Sequence, residues 1–166
     1  MQNAKDTFYM TLRDRLAAVN PARTMVVRGV TRPGSLVEEN ELVSAMQVAD
    51  VFCLRWTGLR VDSRAALTLV SMQCEIRYCT DGTAGNGGMD RGRLLAGMDA
   101  ELVATVNAAP QNVVKSAFVT GAAGGTAMGT NVFWGDVVFA AAAVEDARLE
   151  RVATVDVFAY QEAGEL

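Results

Sequence analysis

At 166 residues, with 51% hydrophobic and 20% charged side chains, the chain has the makeup of one globular domain rather than a disordered segment. Its net charge of −4 is the wrong sign for a protein that grips nucleic acid through its phosphates. It has no histidine, so the commonest general base and metal ligand are missing, and no apolar run approaches the roughly 20 residues that span a bilayer.

Ala4 to Val19 reads as an amphipathic helix, with Phe8, Leu12, Leu16 and Val19 as its stripe and Tyr9 on the flank. Met1 to Asp6 lack the apolar core of a signal peptide, so a cytoplasmic origin is expected. Asn20-Pro21 ends the helix, because the residue before proline is pushed out of helical geometry. Thr24 to Val30 reads as a first strand and Thr31-Arg32-Pro33-Gly34 as a turn. Ser35 to Ala49, with Glu38, Glu39 and Glu41, fits neither period and reads as a loop with one short strand near Leu36-Val37. Asp50 to Thr57 is a second strand with Phe52, Leu54 and Trp56 on one face. Gly58 to Ala66 reads as a charged connection.

Leu67 to Val106 carries the clearest pattern. Leu67 to Cys79 is a long strand, with Val70, Met72, Cys74, Ile76 and Tyr78 on one face and Ser71, Gln73, Glu75 and Arg77 on the other. Clustered glycines from Asp81 to Gly88 break it. Asp90 stands where a helix N-cap would, and Leu95, Met98, Leu102 and Val106 recur behind it at helical spacing. That stripe is expected to lie on the apolar face of the long strand. Ala108-Ala109-Pro110 stops the helix, and Val113 to Val119 follows as a strand.

A second glycine-rich loop spans 121–131. Val132 to Phe139 and Arg148 to Tyr160 are strands joined by Ala140 to Ala147. The last has apolar residues on both faces, which suits a central or interface position. The order implies a single domain over 1–166 of α+β class, a mostly antiparallel sheet with two helices packed on one face.

Cys53, Cys74 and Cys79 are odd in number, and Cys74 and Cys79 fall on opposite faces of one strand. Buried free thiols are therefore expected, not a disulfide or a zinc site. Glu38, Glu39 and Glu41, and Glu145-Asp146, sit in polar connections and read as solvated. Thr120-Gly121-Ala122-Ala123-Gly124-Gly125-Thr126-Ala127 resembles the nucleotide turn of short-chain dehydrogenases. That turn must open a helix, whereas Thr130 to Phe139 is β-branched and aromatic and reads as strand. The family's Tyr-x-x-x-Lys pair is also missing, since Tyr9, Tyr78 and Tyr160 are followed four residues on by Arg13, Gly82 and Gly164. No cofactor and no enzymatic activity are expected.

Several stretches share one further likeness. They are Thr7-Phe8-Tyr9-Met10-Thr11-Leu12-Arg13-Asp14-Arg15-Leu16, Met72-Gln73-Cys74-Glu75-Ile76-Arg77-Tyr78, Met89-Asp90-Arg91-Gly92-Arg93-Leu94-Leu95 and Gly129-Thr130-Asn131-Val132-Phe133-Trp134. In order and texture, from Phe8 to Tyr160, they resemble the tail-terminator proteins of tailed bacteriophages. The resemblance implies a structural virion protein of the tail or neck, assembled in the host cytoplasm. It implies a homo-oligomeric ring, a hexamer, that stops tail-tube growth and joins the tube to the head connector. Its partners would be further copies of itself, tail-tube proteins and head-connector proteins. DNA would pass through the channel without specific binding, and no membrane is involved. The alternative is another tail or neck component, such as a tube, stopper or completion protein; a small-molecule-binding domain or enzyme is a more distant one.

The expected interface comprises Gly121, Gly124, Gly125, Met128, Asn131, Phe133 and Trp134. Long glycine-rich loops cost entropy to order, so a domain of this size keeps them for a use. Phe133 and Trp134 are adjacent on a strand, so one enters the core and the other faces out. An outward aromatic beside such a loop is an interface anchor; a satellite cluster under the loop is the alternative.

Overall fold

The computed structural model describes residues 1–41, 48–64, 66–119, 124–145, 147–163 and 165. The helices are α1 (Gln2–Val19), α2 (Glu38–Glu41) and α3 (Arg91–Val106). The strands are β1 (Thr24–Val27), β2 (Val30–Pro33), β3 (Ser35–Val37), β4 (Phe52–Asp62) and β5 (Leu69–Thr80), then β6 (Asn112–Ala117), β7 (Thr126–Trp134), β8 (Val138–Phe139), β9 (Ala143–Glu145) and β10 (Arg148–Tyr160). β1 and β2 form a separate hairpin, and the other eight strands form one sheet in the order β3-β4-β5-β10-β7-β6, with β8 and β9 also paired to β10. Every pairing in that sheet is antiparallel except β3 on β4, so the class is α+β with a mostly antiparallel sheet.

β10 holds the centre. One edge pairs with β5 from Leu149↔Thr80 to Tyr160↔Leu69, and the other edge is shared in turn by β9, β8 and β7. Val70, Met72, Cys74, Ile76 and Tyr78 of β5 join Ala153, Val155, Val157 and Ala159 of β10 in one buried face. Leu95, Met98, Leu102 and Val106 of α3 share its core, as the helical stripe requires. Phe8, Leu12 and Leu16 of α1 enter the same cluster, while Val19 at the helix end stays exposed.

The sheet curls. The Phe8 ring lies 5.9 Å from Trp56 on β4 and 5.6 Å from Trp134 on β7, edge-on to both. Those strands are three spacings apart, on the order of 14 Å in a flat sheet. One ring reaches both because the sheet wraps around α1. The Ser116 N–H donates to Thr7 Oγ1 at 3.0 Å, so α1 also covers the edge of β6.

Long-range polar ties fasten α3. Arg15 donates to the carbonyls of Thr105, Ala108 and Pro110, at and just past the helix C-terminus, where a cation complements the orphan acceptors. Glu101 accepts from Asn20 and from Arg23 in a two-pronged contact at 2.7 and 2.8 Å. Asp99 accepts from the Tyr78 hydroxyl and pairs with Arg151 at 3.0 Å. Burial and that carboxylate push the Tyr78 phenol up.

Several sequence expectations change, among them the strand expected over Val132 to Phe139, which is divided between β7 and β8, with β9 inside the expected connection Ala140 to Ala147. The turn of the first hairpin falls at Arg28-Gly29, with φ of 50° and 80°, because a two-residue hairpin loop needs both residues in the left-handed region. β4 runs on to Asp62 past a bulge between Trp56 and Gly58, so most of the charged connection is strand. Asp90 does not cap α3 with its side chain. Its carboxylate turns back and accepts from the Thr83 N–H at 3.0 Å and from Asn86 at 3.3 Å, closing the glycine-rich turn; those bonds hold its pKa at about 2. The 121–131 loop is shorter than expected, since β7 begins at Thr126.

The short strand near Leu36-Val37 is β3, followed by α2. Residues 42–47 of the expected loop lie outside the described residues. All three cysteines are buried free thiols. Cys74 lies in the main core and Cys53 in a small cluster with Leu36 and Val51; burial pushes the Cys74 and Cys79 thiols up.

Candidate interaction surface

The cross-strand register builds an apolar patch on the sheet face opposite the β5–β10 core residues. Phe158 of β10 stands directly opposite Phe133 of β7, and Tyr160 directly opposite Leu69 of β5. Val114 of β6 lies opposite Asn131 on the same face. Phe133 is 39% exposed, Tyr160 38% and Val114 47%. Toward the other end this face turns polar, with Thr154 opposite Glu75 and Asp156 opposite Gln73.

A polar hub anchors the strands beside this patch. Lys115 of β6 is fully buried. Its ammonium donates to the Tyr160 carbonyl at 2.6 Å and to Glu165 at 2.5 Å, and pairs with Glu162 at 3.4 Å. Glu162 also accepts from the Gly129 N–H, the Thr130 N–H and the Thr130 hydroxyl. The Thr130 and Gly129 bonds hold the Glu162 carboxyl at about 2. For Glu165, burial alone would raise the pKa; the Lys115 contact and the Glu162 N–H outweigh it and leave the carboxyl below its ordinary value. The hub locks the middle of β7 to the segment after β10, which stops the glycine-bearing strand from peeling away.

The seven expected interface residues separate. Gly121 lies outside the described residues. Gly124 is exposed with open space around it, whereas a Cβ on Gly125 would come within 2.7 Å of Ser116 and 2.9 Å of Phe118. Gly125 is thus a close-approach glycine against the end of β6 and opens a strand, not a helix. Met128 is half-buried, its sulfur 3.7 Å from Asn3 Nδ2, and Asn131 donates to Asn112 at 3.3 Å. Phe133 faces outward, as one of the aromatic pair had to. Trp134 is core rather than surface. Its indole N–H donates to the Val106 carbonyl at 2.9 Å, and its ring lies under the Arg15 guanidinium. Val132 and Trp134 share the inner face, so strand alternation forces Trp134 inward.

Sequence reading missed Phe158 and Tyr160 as parts of the patch, and Lys115 as the hub. The apolar second face of β10 was the signal for the first two. Nothing local marked Lys115, because its acceptors lie 45 and 50 residues away.

Among the described residues no group of His, Cys, Asp or Glu side chains is arranged to hold a metal ion, and no helix is long and apolar enough to cross a membrane. No protein-family model matches the chain, and no curated protein matches it in sequence.

Proposed function

We propose that this chain is a structural subunit of a bacteriophage tail, a tail terminator that assembles as a ring, caps the tail tube and joins it to the head connector. In this reading α1 and α3 lie together on one face of the sheet and leave the other for neighbours. The observation that supports it is the outward Phe133–Phe158 pair, flanked by Tyr160 and Val114 and backed by the Lys115 hub. Aromatic residues held on a rigid strand make good interface anchors, because little entropy remains to be lost when they dock. The net charge of −4 suits a channel that DNA traverses without sticking. The reading assigns no catalysis.

The test is electron microscopy of the purified protein mixed with tail tubes that lack a terminator. Capped tubes of fixed length are expected with the native chain. Capping should be lost with Phe133→Ser or with removal of residues 122–125, while both variants remain folded. A native protein that leaves tube ends bare overturns the reading.

A further inference from the structure

We propose that successive copies of this chain join edge to edge, the open edge of β9 in one copy pairing antiparallel with the open edge of β4 in the next, so that one sheet continues through both. The proposal rests on the ring reading only for closure. The pairing itself follows from where backbone groups point.

The hydrogen bonds set the parity. Ala140 N–H donates to the Val152 carbonyl and Gly135 N–H to that of Asp156, so the even residues of β10 address the β7, β8 and β9 side. Glu145 stands opposite Arg148 and Ala143 opposite Glu150, which makes these the bonded pairs. Val144, opposite Leu149, therefore turns its N–H and C=O outward.

On the far edge Asp50 N–H donates to the Cys79 carbonyl, so the odd residues of β5 address β4. Arg60 and Asp62, opposite Ser71 and Leu69, are bonded inward, and Leu59 and Val61 turn their backbone outward. β3 covers β4 only from Phe52 to Leu54. Among the described residues no strand pairs with β4 beyond that point or with the outer side of β9.

The side chains agree. Val144 is 75% exposed, Leu59 57% and Val61 50%. All three project to the core-bearing face, since Leu59 stands opposite Met72, Val61 opposite Val70, and Val144 opposite Leu149, which packs on the core. Between Gly135 and Val144 the sole charge is Asp136, so the usual edge protection by lysine or proline is missing. An apolar strand edge with free backbone groups is a template for another strand.

Charge and direction choose the occupant. β4, β5, β10 and β9 alternate in direction, so β9 meets a neighbour's β4 antiparallel with the core-bearing faces on one side. Setting Val144 against Val61 of the next copy brings Glu145 opposite Arg60. Arg60 is exposed and forms no ion pair among the described residues. Glu145 crowds Glu150, whose carboxyl is pushed up by burial and then by that neighbour, and an incoming guanidinium relieves both acids. The open stretches lie at opposite ends of the sheet, so each copy steps along the strand direction, as shear does in a closed barrel. Such a head-to-tail contact closes into a ring when its rotation permits.

The experiment is native mass spectrometry and light scattering on the full chain, with circular dichroism to check folding. The native protein should oligomerise. Val144→Pro removes an N–H that faces only the open edge and should give monomers. Glu145→Arg and Arg60→Glu should each weaken association by about tenfold, the scale of one close interfacial charge pair, and the double variant should restore it. If Val144→Pro fails to fold, the charge swap carries the test. A native protein that stays monomeric overturns the proposal. So does an oligomer indifferent to all of these changes and dissolved only by Phe133→Ser, an outcome that leaves the ring reading standing. Edge-paired oligomers that ignore tail tubes would instead sink the tail reading and keep the pairing.

Discussion

Both faces of β10 carry apolar residues, and these meet different fates. On one, Ala153, Val155, Val157 and Ala159 are at most 3% exposed. On the other, Tyr160 is 38% exposed beside Phe133 at 39%. Strand geometry sends alternate residues to opposite faces but does not decide which face is covered. Coverage comes from the core, where Leu95, Met98 and Leu102 of α3 and Phe8, Leu12 and Leu16 of α1 belong to the same buried cluster as these four β10 residues. An apolar side chain contributes to stability only where another element removes it from water; elsewhere it remains available to a partner.

Substitutions that separate the two faces sharpen this contrast. The largest effect is expected from Leu102→Asp. Leu102 is fully buried, and an unpaired carboxylate there costs several kcal/mol against a total stability of roughly 5–15 kcal/mol. Loss of the cooperative melt is the expected outcome, and native melting would mean that the α3 packing is wrong. Trp134→Ala comes next, at about 4 kcal/mol by urea denaturation, since it opens a cavity beside Phe8 and removes the indole bond to Val106. Lys115→Met should cost about 3 kcal/mol, because it strips the cation from buried Glu165.

The Glu162 contribution is best read through pH. Its carboxyl sits at about 2, below the ordinary 4.5, so the stabilisation is full above about pH 4.5 and is lost as pH falls through 2. The gap in urea midpoint between the native chain and Glu162→Gln should be constant from pH 7 to about pH 5 and shrink below it. A gap that widens on acidification contradicts the sign. The smallest stability effect is expected from Phe133→Ser, within about 0.5 kcal/mol, although it is the immediate neighbour of Trp134. A cost close to that of Trp134→Ala would erase the difference between the faces.

The two glycine-rich stretches show where local reading stopped. Gly82, Gly85, Gly87 and Gly88 all have positive φ, and Asp90 ties the turn they make. Gly124, Gly125 and Gly129 do not, and Gly129 lies within β7. Glycine count alone made both stretches look like loops. In the second, pairing of Thr126 and Ala127 with β6 and the grip of Glu162 on Gly129 and Thr130 override the weak strand propensity of glycine.

The sequence by itself determined α1, α3, β5 and β10 as elements, and the apolar faces that α3 and β5 would bury, because periods of 3.6 and 2 are local properties of the chain. It also determined that Phe133 and Trp134 would part company. Tertiary structure alone decided which went inward, how the sheet curled around Phe8, and that Lys115 would be buried. It decided too that, among the described residues, β4 beyond Leu54 and the outer side of β9 would be open edges. Those outcomes depend on pairings between residues far apart in the chain, such as Lys115 with Glu165 or Arg15 with Pro110, and no local pattern encodes a partner 50 or 95 residues away.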